Sequence, residues 1–153
     1  MTMGSKAEKV LTDLVLMKSQ DTDPMAPIAG YVSDFMKRLG MDVRRYSSDE
    51  KPSFVGEHGK GGVVLSGHLD TVPIGTGWTR GQGEMVDGVM YGRGTNDMKG
   101  GCAAMLLAAE KLVAAGVPFA LCFTTDEETS MDGAGAASKD PAIAAAPAVV
   151  VTE

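Results

Sequence analysis

"VVLSGHLDTVP", Val63 to Pro73, begins as an unbroken apolar run and ends on a histidine and an aspartate two residues apart. Strands covered on both faces read as continuous apolar runs, not as apolar–polar alternation, so Val63-Val64-Leu65 predicts a buried strand within a sheet flanked by helices. Two later runs have the same character, "PFALCFTT" (118–125) and "AVVVT" (148–152). Helical patterns separate them, and buried strands alternating with helices specify an α/β fold: a helix–sheet–helix sandwich with a largely parallel or mixed central sheet.

Before this stretch, Ala7, Val10, Leu11, Leu14 and Val15 form a helical stripe within residues 5–17. "SQDTDPMAP" breaks it, and a second helix is predicted from Met25 or Pro27 to Leu39, closed by Gly40 as a C-cap. "MDVRRY" and "SFVGEH" read as short strands, and "KGGVVLSG" as a more deeply buried one. After it, residues 71–94 are glycine-rich and irregular, with a small hairpin suggested by Met85-Val86, Gly88 and Val89-Met90-Tyr91. The clearest helix spans 98–115 and ends at Gly116, and residues 132–147 have room for one short helix. "AVVVT" is expected to be another buried strand.

With 153 residues the chain can form one sizeable core but not two ordinary domains. A formal charge of -6 and the absence of a basic block argue against a nucleic-acid groove. No stretch approaches the apolar length of a membrane span and no secretory signal is evident, so a cytoplasmic location is expected. Cys102 and Cys122 are too few for a disulfide framework and read as free thiols.

Three buried runs end in the same chemistry. The first leads to His68 and Asp70, the second to Asp126, Glu127 and Glu128, and the third to Glu153. In open α/β sheets ligands bind beyond the carboxyl ends of strands. Carboxylates gathered there repel one another unless a cation joins them. One histidine among carboxylates suits Zn²⁺, Mn²⁺ or Co²⁺, which accept nitrogen and oxygen donors together. Residues i and i+2 of an extended segment point the same way, so Asp70 is placed to accept the second ring N–H of His68 and fix its tautomer. Asp97 sits just before the long helix, where it reads either as an N-cap or as a carboxylate bridging two metal ions. Gly92, Gly94, Gly100 and Gly101 around it would permit close backbone approach. Glu127 and Glu128, adjacent at a strand end, can face differently, one towards metal and one as a general base.

The blocks "SGHLDTVP", "YGRGTNDMKGG" and "TTDEETSMDGA", with the weaker "VVVTE", resemble the M20-type metallopeptidase and deacylase family of acetylornithine deacetylase, succinyl-diaminopimelate desuccinylase, aminoacylase, carboxypeptidase G and related dipeptidases. The resemblance covers essentially the whole chain. It implies a zinc-exopeptidase-like fold in which His68 and Glu153 bind the first metal and Asp97 bridges both. Glu128 serves the second metal, Asp70 orients His68, and Glu127 is the general base. The peptide bond after Asp97 is often cis in this family. The implied cofactor is one or two Zn²⁺ ions, replaceable by Co²⁺ or Mn²⁺. The implied reaction is hydrolysis of an amide bond in a small N-acyl amino acid, of the acetylornithine or succinyl-diaminopimelate kind, or in a dipeptide.

Family members continue beyond the Glu153 position into a lid or dimerisation domain and then complete the catalytic domain with a further histidine and substrate-binding groups. The expectation is therefore that residues 1–153 are the N-terminal portion of the catalytic metal-binding domain, inactive alone and monomeric, from a full-length protein that forms a homodimer. His58, the other histidine, is read as a surface residue. Two other readings stand beside the enzyme: a truncated paralogue that binds metal without turnover, and a purely structural α/β domain.

Overall fold

In the computed structural model, which describes residues 3–153 and their side chains from Lys6 onward, two helices precede the sheet. Helix α1 spans Met3–Leu16 and α2 spans Ala26–Arg38, close to the predicted limits. Val10 and Leu14 of α1 and Ile28, Val32, Phe35 and Met36 of α2 are buried, which is the face their spacing picks out. At the end of α2, Gly40 takes a positive φ of 74°. Its N–H donates to Lys37 and that of Met41 to Met36, so a Schellman turn closes the helix.

Five strands follow in one sheet: β1 (Asp42–Tyr46), β2 (Ser53–His58), β3 (Val63–His68), β6 (Phe119–Thr124) and β7 (Val149–Val151), in the spatial order β1-β2-β6-β3-β7. Between β3 and β6 come a two-stranded hairpin, β4 (Glu84–Val86) with β5 (Val89–Tyr91), and helix α3 (Lys99–Ala114). β1 and β2 are antiparallel, while β6, β3 and β7 are mutually parallel neighbours. The sheet is mixed, and the carboxyl ends of its three parallel strands share one edge.

Side-chain size on β6 shows how the layers form. Phe119, Leu121 and Phe123 point into the large core beneath α1, α2 and α3. Ala120 and Cys122 face the other way, into a thinner layer with Val55, Val64 and Ala137. Two short helices cover that thinner face, α4 (Asp132–Ala137) and α5 (Pro141–Ala144), where one was expected. The break falls at Asp140, whose carboxylate caps α5 by accepting the Ala142 N–H, with Pro141 as its first residue.

β7 corrects an expectation. Val149, Val150 and Val151 are 50%, 46% and 58% exposed, not buried. β7 pairs with β3 on one side, and among the described residues no strand pairs with its other side. His58 differs as well: it is half-buried against the Phe119 ring, 5.9 Å between centroids. Its register partner Phe119 starts β6, so His58 lies at the sheet edge opposite to His68.

Candidate metal centre

The parallel register places each proposed ligand. His68 closes β3 opposite Thr124, the last residue of β6, and Glu127 and Glu128 lie in the turn that follows. On the other flank Ser66 pairs with Val151, so Glu153 emerges beside His68. Asp97 comes from the loop before α3, with a cis peptide bond to Met98. It does not cap that helix: the N-cap is Met98, with no side-chain hydrogen bond.

His68 is buried at the bottom of this group and held on three sides. Its N–H donates to the Met98 sulfur at 3.1 Å, and its carbonyl accepts the Cys102 thiol at 3.1 Å. Its Nδ1 lies 3.0 Å from the Asp70 backbone carbonyl. The expected bond to the Asp70 carboxylate is not formed, since Oδ1 stands 3.7 Å away. Instead, Asp70 Oδ2 accepts the Glu128 N–H at 3.0 Å, tying the β6 turn to the end of β3. Oδ1 is buried without a hydrogen-bond partner among the described residues.

The opposite ring nitrogen, Nε2, faces carboxylates: Asp97 at 3.1 Å, Glu153 at 3.8 Å and Glu127 at 3.9 Å. Two sets have donor atoms within 4.8 Å of one another, His68 with Asp97 and Glu153, and His68 with Glu127 and Glu128. Donors at about 2.0–2.2 Å from a tetrahedral Zn²⁺ lie roughly 3.3–3.6 Å apart, and the His68–Asp97 and His68–Glu153 separations of 3.1 and 3.8 Å fall on either side of that spacing. The electrostatics agree. Burial would depress the His68 imidazole, yet Asp70 and Glu127 outweigh it and carry the pKa to about 9. Burial, and then the like charge of Asp97, push the Glu128 carboxyl up. A site that protonates its own histidine and raises its own carboxylate favours added positive charge. The residues fit a divalent metal. The Asp97 and Glu153 side chains are 55% and 57% exposed, so the cluster opens to solvent above a buried imidazole.

Asp126 does not join the cluster. At φ 75° it turns away and is bound by Lys51 at 2.6 Å and by the hydroxyls of Thr129 and Ser130. That network anchors the turn bearing Glu127 and Glu128, and only the adjacency of Asp126 to them hinted at such a role. Gly100 and Gly101 permit close backbone approach, as expected. A Cβ on Gly101 would lie 2.1 Å from the Thr152 carbonyl oxygen, and one on Gly100 would lie 2.5 Å from that of Thr95. Gly101 thus lets β7 run against α3 immediately before Glu153. Lys99, whose role the sequence left open, is 2% exposed and donates to the Met17 carbonyl at 2.8 Å. Burial lowers its pKa to about 8.

Residues 64–153 match the model of Peptidase family M20/M25/M40. A protein named "Probable succinyl-diaminopimelate desuccinylase" from Staphylococcus epidermidis is 34% identical over 147 residues, 88% of this chain and 36% of the relative. The acetylornithine deacetylase of Salmonella typhimurium is 44% identical over 91 residues, 56% of this chain and 24% of the relative. This chain therefore spans about a third or less of the length of these curated relatives. Among solved structures, human carnosine dipeptidase 1 superposes with a TM-score of 0.82 at 23% identity, covering 97% of this chain and 38% of that one, a likeness of fold. With the ligand-type residues at the carboxyl ends of β3, β6 and β7 and the family match spanning all three strands, the chain belongs to peptidase family M20/M25/M40.

Proposed function

We propose that this chain supplies the metal-binding part of a hydrolase that cleaves the amide bond of a small N-acyl amino acid. The observation carrying the reading is the convergence of His68, Asp97 and Glu153 on one point, with Glu127 beside it and outside that ligand set. A divalent cation there, Zn²⁺ in the first instance, supplies Lewis-acid polarisation of a carbonyl and acidifies water. His68, Asp97 and Glu153 hold it, and Glu128 offers a carboxylate for a second ion alongside Asp97.

Glu127 is the group free to move a proton. Its Oε2 stands 3.9 Å from His68 Nε2, beyond hydrogen-bond distance, on a turn fixed by Asp126. It takes the proton of the attacking water and returns it to the leaving nitrogen, a general acid–base role worth about 10²–10⁴ in rate. Asp70 orients His68 from behind and holds the Glu127–Glu128 turn through the Glu128 N–H. The names of the sequence relatives, a desuccinylase and a deacetylase, favour an N-acyl diamino acid over a dipeptide as substrate. Because the matched part of this chain covers 36% and 24% of those relatives, the complete enzyme is read as this portion joined to further sequence.

The test is amine release from N-acetylornithine, N-succinyl-diaminopimelate and simple dipeptides by the complete gene product with Zn²⁺. The expected result is turnover of an N-acyl diamino acid, and a Glu127→Gln variant that still takes up metal but loses at least about 10² in rate. Metal uptake with no turnover of any of these substrates would favour the non-catalytic paralogue. Wild-type turnover in Glu127→Gln would remove Glu127 from the mechanism.

A further inference from the structure

A cavity of about 150 Å³ lies between the α1–α2 loop and the segment carrying Asp97, lined in part by Met17, Ser19, Gln20, Thr71, Arg93 and Lys99. It shares backbone with the metal centre, since Thr71 follows Asp70 and Lys99 lies two residues past Asp97, but no metal ligand lines it. Its charge is one-sided: Lys18, Arg93 and Lys99 line it and, among the described residues, no Asp or Glu does. Asp23, the carboxylate whose field reaches Lys99, is already engaged by the backbone N–H and side-chain amide of Gln20.

Its polar groups are incompletely used. Lys99 Nζ, with three donors, gives one bond, to the Met17 carbonyl. Among the described residues, Arg93 Nε is buried without a partner, as is the hydroxyl of Ser19, a residue 1% exposed. The Arg93 guanidinium lies over the Trp78 ring at 5.7 Å, an arrangement that leaves its in-plane N–H groups for an oxyanion. Water can satisfy such donors but brings no negative charge to the cations that line the cavity. A space of about 150 Å³ admits a group no larger than roughly a benzene ring.

We infer that this cavity is an anion site that takes one small oxyanion, a carboxylate or inorganic phosphate, between Arg93, Lys99 and Ser19. The site is independent of the metal centre and of the proposed reaction.

Trp78 is the one tryptophan in the sequence and reports on Arg93 directly. The metal-free chain is titrated with sodium phosphate or sodium acetate at constant ionic strength, following Trp78 emission and the melting temperature. At least one anion is expected to give a saturable single-site change with a matching rise in melting temperature, and comparing the two arms tells phosphate from carboxylate. Arg93→Gln, read by melting temperature because it removes the fluorescence partner, weakens half-saturation at least about tenfold through loss of a charge-assisted bond. Ser19→Ala weakens it about threefold or more and keeps the reporter, so it decides if Arg93→Gln fails to fold. His68→Ala leaves the anion curve unchanged. A linear, non-saturating response to both anions, wild-type curves in Ser19→Ala and Arg93→Gln, or loss of the response in His68→Ala would each overturn the inference.

Discussion

Replacing Gly101 by alanine should weaken metal binding without altering any ligand. The added Cβ would stand 2.1 Å from the Thr152 carbonyl oxygen, whereas a relaxed carbon–oxygen contact needs about 3.3 Å, so a movement on the order of 1 Å is forced. Helix α3 will not supply it, because Cys102, Met105 and Leu106 beside the substitution are fully buried. β7 will, being three residues long, at the sheet edge and about half exposed. Thr152 then leaves the Met105 sulfur, which its hydroxyl contacts at 3.2 Å, and Glu153 is carried with it. Metal sites tolerate displacements of about 0.2 Å in a ligand distance, and faults in a ligand's support cost 10–100-fold in affinity. The expected result in a calorimetric Zn²⁺ titration is a loss of about tenfold or more, with helix content unchanged and a stability cost of about 1–3 kcal/mol. Gly30→Ala is the control, since nothing lies within 4 Å of its added Cβ and it sits inside α2. A folded Gly101→Ala chain with wild-type zinc affinity would refute the placement of Glu153 as a ligand set by this contact.

Two further outcomes concern the scaffold. Asp140 is fully buried and accepts from Arg44 at 2.7 and 2.9 Å, Tyr46 at 2.8 Å and the Ala142 N–H at 2.7 Å. Asp140→Asn should cost about 2–3 kcal/mol near neutral pH by urea denaturation, less than a fully broken buried pair because Arg44 keeps Asp42 and Glu57. Burial would raise the Asp140 pKa, but Arg44 and Tyr46 outweigh it and hold it below the usual range. Its stabilisation is thus in place above the unfolded-state value of about 3.9 and is lost as pH falls through the lower folded value, so the gap between wild type and variant should close there. A gap that stays constant through that range would contradict the assignment. Burial also pushes the thiols of Cys102 and Cys122 up to about 12 and about 11. At pH 8 iodoacetamide should leave both unmodified in the native chain and label both in denaturant; native labelling at the rate of a free cysteine would show that one is not buried.

The parallel core and the carboxylates gathered at its strand ends were legible because continuous apolar runs and the residues just past them are local features. Val63–Leu65 and Phe119–Thr124 read correctly as strands, and the carboxylates follow them directly. What escaped depends on which segments meet. A run of valines is equally apolar at an edge and in a centre, so the exposure of β7 could not be read from Val149–Val151. The swing of Asp126 to Lys51 joins residues 75 apart in sequence, and Gly101 acquires its meaning only when Thr152 lies against it. Asp70 illustrates the limit of spacing arguments. Its i+2 relation to His68 was sound, yet the backbone carbonyl, not the carboxylate, makes the close contact.

The metal assignment stands or falls on His68, whose Nε2 is the point on which the carboxylates converge. Calorimetric titration of Zn²⁺ into the metal-free wild-type chain and into His68→Ala tests it directly. A wild-type chain that takes up zinc and a folded variant whose affinity falls at least about tenfold is the predicted result. Equal zinc uptake by the two proteins would contradict it.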